Sequence, residues 1–194
     1  DILNNRLVGA AIETRGVAGD FDPTGGTLTL YSTTQTVHHI RRAVAAQLGM
    51  AQAQLRVISP DMGGGFGNKG KHYPEETIVA WAAKRLGRPL KWIGQRHESF
   101  VSDTQGRDHE THAELALDAA GNFLGLRVKT LANLGAYVST FGANIPSAIY
   151  STLLAGVYKT PAIHVEITGV FTNTVPTDAY RGAGSRAPKS GAAI

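Results

Sequence analysis

Apolar and polar residues alternate in several short stretches of the chain, and this pattern predicts strands with one buried face. In residues 27–32, TLTLYS, the alternation places Leu28 and Leu30 on the same face. A turn sequence, DFDPTGG, precedes this stretch, so residues 8–32 are predicted to contain a β-hairpin. The other predicted strands are 55–59, 90–94, the two arms 109–117 and 123–132 of a long hairpin, and 162–172.

Two further stretches follow the spacing of an amphipathic helix. The first ends before Gly49, and the second begins at Pro74 and stops at Gly87 and Pro89. Strands and helices do not alternate regularly enough for a doubly wound parallel sheet, so we predict an α+β fold with a mixed sheet and packed helices. The apolar face of the first helix consists of Val37, Ile40, Val44 and Leu48.

Composition narrows the class of protein. The chain has 194 residues, of which 42% are hydrophobic and 18% charged, as is ordinary for a globular domain. No membrane span or signal peptide is recognised, and we therefore expect a cytoplasmic location. The absence of cysteine excludes disulfides, thiolate zinc sites and cysteine-held iron–sulfur clusters within this chain. The basic residues behind the net charge of +4 are dispersed, so no nucleic-acid-binding surface is expected.

The most unusual segment is DMGGGFGNKGKHYPEE, residues 61–76, which lies between a predicted strand and a predicted helix. A tight turn needs one or two glycines, whereas this segment has four around Phe66. Bare backbone of this kind suits close approach to a ligand, with amide N–H groups as donors. The four glycines are Gly63, Gly64, Gly65 and Gly67.

Two nucleotide-binding signatures nearly fit the same segment. The spacing G-x-x-x-x-G-K over residues 65–71 matches a P-loop, but His72 stands where a serine or threonine would bind Mg²⁺. The spacing G-x-G-x-x-G over residues 65–70 matches the dinucleotide fingerprint, but the expected acid about twenty residues further on is missing. Pro74 also delays the helix beyond the last glycine, which disfavours both signatures.

Three segments together resemble the molybdopterin-binding subunit of the xanthine oxidase family of molybdenum hydroxylases. They are GGGFGNK, the earlier STTQTVHHIRRAVAAQLG, and FTNTVPTDAYRGAG at 171–184, and they occur in the family's order and approximate spacing. AYRGAG is most similar to the carbon-monoxide-dehydrogenase-like large subunits. The resemblance implies a partial molybdopterin-binding domain over residues 1–184, followed by a loose tail at 185–194.

The resemblance also implies the cofactor and the partners. In this family, molybdenum is held by the dithiolene of a pterin that is often extended by a cytosine nucleotide. A metal–oxygen group attacks an electrophilic carbon, hydride passes to sulfur, and electrons leave through iron–sulfur clusters to FAD. Those carriers usually belong to other domains or subunits, so the implied partners are iron–sulfur and FAD subunits and the remainder of the large subunit.

The same resemblance assigns residues to the cofactor pocket. Gln35 matches the glutamine that reaches the molybdenum oxo group, where a neutral amide donates a hydrogen bond without adding charge. Phe66 and Gly67 match the backbone that faces the metal ligands, and Arg181 matches the arginine of a second metal-facing loop. We expect these residues to converge on one face. The full cofactor-binding set is Gln35, Gly64, Gly65, Phe66, Gly67 and Arg181, with no protein ligand to a metal.

Each of these residues has a plainer explanation when taken alone. Gln35 would be a solvent-facing residue at a helix start, Phe66 an anchor in a turn, and Arg181 a surface arginine. Two histidine-containing segments also have plain explanations. DHETH at 108–112 is predicted to present a solvated polar strand face, and the histidine pair at 38–39 to lie on a helix surface.

The chain departs from the family pattern at positions that set the substrate. Gly70 and Ala183 replace the glutamate and phenylalanine of purine-oxidising relatives, and Gly182 stands where carbon-monoxide-oxidising relatives have cysteine. Aldehydes and N-heteroaromatic compounds remain as substrate classes.

The sequence after AYRGAG also leaves the family pattern, and the family's catalytic glutamate lies beyond the residues in this chain. We therefore expect an N-terminal-half fragment without a catalytic residue of its own, which is isolated without cofactor and does not turn over substrate alone. A cofactor-free remnant or assembly module and a P-loop-like phosphate-binding domain remain as alternative functions.

Overall fold

A computed structural model describes residues 1–184, and they divide into two compact units. We call Ala10–Asp103 the inserted unit. We call Asp1–Gly9 together with the chain from Thr104 onward the split unit. The predicted tail at 185–194 lies outside the described residues, and the single domain expected over the residues before it stays a prediction.

The elements confirm the predicted strands and both predicted helices and add several short ones. The strands are β1 (Ile2–Asn4), β2 (Leu7–Val8), β3 (Gly16–Asp22), β4 (Thr27–Ser32), β5 (Leu55–Ile58), β6 (Leu90–Ile93), β7 (Gln105–Gly106), β8 (His109–Leu117), β9 (Phe123–Gly135) and β10 (Ile163–Phe171). The helices are α1 (Val37–Gln47), α2 (Pro74–Leu86), α3 (Arg96–Ser102) and α4 (Tyr150–Thr152), with a 3-10 turn at Gln52–Gln54 and a π-helical turn at Ile145–Ile149.

The inserted unit is a four-stranded mixed sheet with strand order β5-β4-β3-β6. The predicted hairpin is confirmed as the antiparallel pair β3 and β4, and β6 pairs antiparallel with the other edge of β3. After β4 the chain forms α1 and returns to the sheet as β5, which runs parallel to β4. This connection places the carboxyl end of β5, where the glycine segment begins, next to the loop that leads from β4 into α1.

Helices α1 and α2 pack against the hairpin and form one apolar core with it. Leu28 and Leu30 are completely buried, as their shared face predicts. They contact the buried residues Ile40 and Val44 of α1. Gly19 of β3 allows α2 to approach closely, because a Cβ atom there would lie 3.3 Å from the Cβ of Ala83. The other core residues are Val17, Ala45, Leu55, Val79 and Ala80.

The split unit contains a second four-stranded sheet, with strand order β1-β8-β9-β10, and the small pair β2-β7. The predicted long hairpin is confirmed as β8 and β9, which pair antiparallel. Strand β10 runs parallel to β9, so this sheet is also mixed. Its small core is built around Val128 and Tyr150. Within residues 1–184, no helix combines the length and the apolar character that a membrane crossing requires.

Candidate functional site

The glycine segment between β5 and α2 folds as two consecutive tight turns. The amide of Asn68 donates to the carbonyl of Gly65 at 2.9 Å, and the amide of Gly70 donates to the carbonyl of Gly67 at 2.9 Å. Phe66, in the first of these turns, has a φ of +54° and a half-exposed ring. An aromatic residue in this left-handed region costs on the order of 1 kcal/mol or more, and such conformations concentrate at functional sites.

The side chain of Gln35 lies directly against this segment. The amide of Gly67 donates to Oε1 of Gln35 at 2.9 Å. A Cβ atom on Gly65 would lie 2.6 Å from the same oxygen, so only glycine leaves room for the carboxamide at this point. Oε1 accepts from the Gly67 amide, and Nε2 of the same carboxamide is a neutral donor.

Backbone contacts with the residues before α1 hold the segment in place. The carbonyl of Lys69 accepts hydrogen bonds from the amide of Gln35 at 2.9 Å and from the hydroxyl of Thr34 at 3.2 Å. The hydroxyl of Thr36 donates to the carbonyl of Gly70 at 2.8 Å. The short run from Thr34 to Thr36 therefore fixes both the position of Gln35 and the far side of the loop.

A partly buried ion pair anchors the start of the segment. Lys69 is 3% exposed, and its Nζ lies 2.7 Å from Oε2 of Glu13. The same oxygen accepts a hydrogen bond from the amide of Gly63 at 3.0 Å. Burial acts to raise the pKa of Glu13, but the bonds to Lys69 and Gly63 outweigh it and hold the pKa below its ordinary value. Glu13 therefore stays ionised and ties the two ends of the glycine run together.

Arg15 anchors the end of the segment through a second buried network. Its Nε lies 2.6 Å from Asp103, its Nη1 lies 2.8 Å from Glu75, and its guanidinium lies 3.7 Å from the ring centre of Tyr73. The side-chain amide of Asn68 donates to the other oxygen of Asp103 at 2.9 Å. Burial alone would lower the pKa of Arg15, but the two carboxylates raise it, so the side chain keeps its charge.

Glu76 makes the stability of the inserted unit depend on pH. Its carboxylate accepts bonds from the amide of Tyr73 at 2.8 Å and the hydroxyl of Ser32 at 2.9 Å, yet burial dominates and raises the pKa to about 7. The folded state thus favours the protonated acid. This contribution to stability is complete below an unfolded-state pKa near 4.5 and is lost as pH rises through about 7.

We expect Glu76→Gln to remove this dependence, because glutamine stays neutral at every pH. Relative to the wild type, the variant should gain on the order of 2–3 kcal/mol between pH 5 and pH 8. Urea unfolding followed by tryptophan fluorescence measures this, since both tryptophans, Trp81 and Trp92, belong to the inserted unit. Glu110→Gln in the split unit is the control. A wild-type midpoint that does not fall over this range would contradict the assignment.

The lysines and the helix start do not fit the P-loop-like alternative. Helix α2 begins at Pro74, after the glycines rather than within them, and the sheet of this unit is mixed. Lys71 is buried, with Nζ 4.3 Å from the ring centre of Tyr73, and Lys69 pairs with Glu13. A P-loop lysine has to reach a phosphate at the helix N-terminus, and neither lysine is placed to do so.

The second motif lies in the split unit and is held by two arginines. Arg107 donates through Nη2 to the carbonyl of Arg181 at 3.0 Å and through Nη1 to the carbonyl of Gly182 at 3.4 Å. Arg6 donates to the carbonyl of Val175 at 2.7 Å and to the hydroxyl of Thr174 at 2.7 Å. The Arg181 side chain itself is exposed.

The assigned cofactor residues thus fall in two places. The inserted unit brings Gln35 together with the glycine segment, whereas Arg181 belongs to the split unit. Convergence of all three motifs on one cofactor stays a prediction. The residues that position these motifs and that sequence reasoning missed are Glu13, Arg15, Asn68, Asp103 and Arg107.

The two histidine segments, both among the described residues, do not bring a set of metal-ligating side chains together. Glu110 and His112 are exposed, as expected for a solvated strand face, while His109 is buried and burial lowers its pKa to about 4. In the histidine pair at 38–39, His38 is exposed and His39 is half-buried. Over the part of the chain that the structure describes, no three histidine, cysteine or acidic side chains come together as metal ligands.

Comparison with known families shows which family the chain belongs to. The molybdopterin cofactor-binding domain family matches residues 1–191. The chain belongs to this family. The resemblance drawn from the three motifs is therefore confirmed, and so is the α+β fold with mixed sheets.

Relatives in the molybdopterin cofactor-binding domain family are parts of larger oxidoreductases. The chain is 38% identical to the carbon monoxide dehydrogenase large chain of Hydrogenophaga pseudoflava, over 88% of this chain and 21% of that relative. It is 37% identical to the 6-hydroxypseudooxynicotine dehydrogenase complex subunit gamma of Paenarthrobacter nicotinovorans, over 94% of this chain and 23% of that relative. The chain thus spans about a fifth of the length of these relatives.

A solved structure shows the same fold. The quinoline 2-oxidoreductase of Pseudomonas putida 86 superposes with a TM-score of 0.89 at 34% identity, covering 94% of this chain and 23% of that one. A superposition of this quality includes nearly all of the described elements.

Proposed function

We propose that this chain forms part of the molybdopterin pocket of a molybdenum hydroxylase, with Gln35 and the glycine segment facing the metal ligands. The observation that carries the proposal is the contact of the Gln35 carboxamide with Gly65 and Gly67. It holds a neutral donor beside the loop backbone, which suits an oxo ligand that accepts a hydrogen bond without needing a counter-charge.

The residues present fit such a cofactor. Gly65 has no room for a side chain, so the loop backbone and the Gln35 amide share one surface. Phe66 keeps its ring half-exposed beside them, where it would cover the centre with an apolar wall. The Gly67 amide donates to Oε1 of Gln35, so the Nε2 group of the same carboxamide would be the donor toward the metal's oxygen.

When bound, the molybdenum group supplies the oxygen-transfer and two-electron oxidation chemistry of the family. The chain's own residues would bind and orient it: Gln35 would donate a hydrogen bond, and Phe66 would exclude water. The pterin's cytosine dinucleotide form belongs to this proposal. The iron–sulfur and FAD partner subunits and the rest of the large subunit also belong to it, and relatives named as a large chain and a complex subunit support multi-subunit assembly.

We propose N-heteroaromatic compounds or aldehydes as the substrate class. Gly70 and Ala183 leave no acid or aromatic ring where purine-oxidising relatives have them, and the chain lacks the cysteine of carbon-monoxide-oxidising relatives. The similarity to a quinoline 2-oxidoreductase supports the N-heteroaromatic class, since quinoline is such a compound.

Gly65→Ala tests the proposal in the 194-residue chain. The added methyl would force the Gln35 carboxamide aside, because it would lie 2.6 Å from Oε1, and the bond from Gly67 would break. We expect affinity for added molybdopterin to fall about tenfold or more, as for loss of one well-oriented hydrogen bond in a site. Equilibrium titration followed by pterin fluorescence measures it, and the amide resonance of Gly67 should shift in the cofactor-free protein.

Gly16→Ala is the matched control, because its added Cβ would have ordinary contacts of 3.7 Å in the same unit. Equal pterin affinity of wild type and Gly65→Ala would refute the assignment of this loop. Binding of ATP with the same affinity as molybdopterin would instead support the phosphate-binding alternative.

A further inference from the structure

We infer that Arg107 is a positioning residue for the second motif and fixes the direction of two backbone amides in the Arg181 loop. The inference rests on the proposed function, since the partner of those amides would be the molybdopterin cofactor. Arg107 precedes β8 and lies in a segment that none of the three family motifs includes.

The guanidinium of Arg107 holds two successive carbonyls. Nη2 donates to the carbonyl of Arg181 at 3.0 Å, and Nη1 donates at 3.4 Å to the carbonyl of Gly182. The first bond is a good one, and the second is long and weaker. The planar fork of an arginine gives these two donors a fixed separation, so the two carbonyls are constrained as a pair.

The backbone that presents Arg107 is strained and held firmly. Arg107 has a φ of +68° and Asp108 a φ of +70°, both in the left-handed region that non-glycine residues avoid. The amide of Asp108 donates to the carbonyl of Asn4 at 3.0 Å, and the carbonyl of Asp108 accepts from the amide of Asn133 at 3.1 Å. Its carboxylate is bonded to Arg6 and to the side chain of Asn133, both at 2.8 Å.

Two residues in such a conformation persist only when their surroundings determine them. Here the conformation is held by hydrogen bonds to Asn4 of strand β1 and Asn133 of strand β9. This strained backbone directs the Arg107 side chain toward the Arg181 loop.

Packing against Gly106 also fixes the Arg181 loop. A Cβ atom on Gly106 would lie 2.3 Å from the Cβ of Tyr180, so Tyr180 is seated directly on the backbone of Gly106. The guanidinium of Arg107 lies 5.1 Å from the ring centre of Tyr180, within reach of a cation–π contact. Gly106 and Arg107 together therefore contact both neighbours of Arg181, which are Tyr180 and Gly182.

The consequence follows from peptide geometry. In a trans peptide the carbonyl and the N–H point in opposite directions. With the carbonyls of Arg181 and Gly182 turned toward Arg107, the amide N–H groups of Gly182 and Ala183 are turned away from it. Two amides fixed in one direction form the kind of preorganised donor pair that binds an anionic oxygen without reorganisation.

Arg107→Ala and Arg107→Lys test the inference in the cofactor-free 194-residue chain. By ¹⁵N relaxation, the order parameters of Gly182 and Ala183 should fall from about 0.85 in the wild type to below about 0.6 in Arg107→Ala. Arg107→Lys should recover part of the loss, since an ammonium can still reach one carbonyl. Arg127→Ala, which removes an exposed arginine paired with Glu114 on the same sheet, should change neither value.

The second measurement is the affinity for added molybdopterin, which we expect to fall about tenfold in Arg107→Ala and less in Arg107→Lys. Unchanged order parameters in both variants would overturn the positioning role. Increased motion along β8 and β9 as well would show a general loss of structure and overturn it too. If the loop becomes mobile while pterin affinity stays at the wild-type value, the link to the cofactor is overturned.

A wild-type chain that binds no molybdopterin would overturn the proposed function, and with it this inference. That result is distinct from the preceding ones, because the order parameters are measured without cofactor. If Arg107→Ala does not fold, Arg107→Lys retains the charge and decides the question by the same two measurements.

Discussion

Arg15→Leu is expected to destabilise the inserted unit by about 3–5 kcal/mol, the cost of removing one partner from a buried ion pair. The guanidinium is nearly buried, and so is Asp103, whose side chain is 4% exposed. Leucine would leave that carboxylate in the interior without its counter-charge. Glu75 would lose its partner as well, but it is 26% exposed and water would compensate part of that loss.

Urea unfolding followed by tryptophan fluorescence measures the change in free energy. Arg56→Leu, an exposed position on β5, is the control for the added apolar side chain. Combining Arg15→Leu with Asp103→Asn should restore part of the stability, because the uncompensated charge is then gone. A loss below about 1 kcal/mol in the single variant would show that Arg15 is not buried and paired as described.

Gly135→Ala is expected to destabilise the split unit by about 2–4 kcal/mol. Gly135 has a φ of +78°, which alanine adopts only with strain. An added Cβ would lie 2.4 Å from the Cα of Pro176 and 2.6 Å from the carbonyl oxygen of Val175. Both atoms belong to backbone and cannot rotate away, so the chain leading to Arg181 would have to move.

Hydrogen exchange of the amides in β8 and β9 measures this loss, since these strands form the centre of the sheet. Gly125→Ala is a close control, because it adds the same methyl to the same strand where the nearest contact is an ordinary 3.6 Å. Equal protection in the two variants would show that the approach of Gly135 to Pro176 does not constrain the unit.

The sequence predicted those elements whose signals are local. Leu28 and Leu30 mark a strand by alternation alone, and Pro74 marks a helix start, and both were confirmed. Strands β1, β2 and β7 were not predicted, because they are two or three residues long and their partners are distant, as when Ile2 pairs with Thr111. Nothing in a short run of sequence records such a pairing.

The residues of the candidate site also differ in whether local sequence marks them. Gln35 and the glycine segment could be assigned to the site from the sequence because they lie in contiguous motifs. Arg15 and Asp103 were missed because each looks like a surface charge until the fold buries them together. Lys71 occupies the lysine position of the P-loop spacing, and only its burial beside the ring of Tyr73 shows that it does not serve as a P-loop lysine. The left-handed backbone of Arg107 has no sequence signal, since it is imposed by contacts with other strands.

The insertion of one unit into the other has a consequence for synthesis on the ribosome. All strands of the inserted unit have emerged once Asp103 has left the exit tunnel, so this unit can fold while translation continues. Strand β1 precedes the inserted unit in the sequence, yet its partner, residues 109–111 of β8, emerges only after the whole inserted unit. The nascent chain therefore carries β1 without its partner strand while the inserted unit is being synthesised.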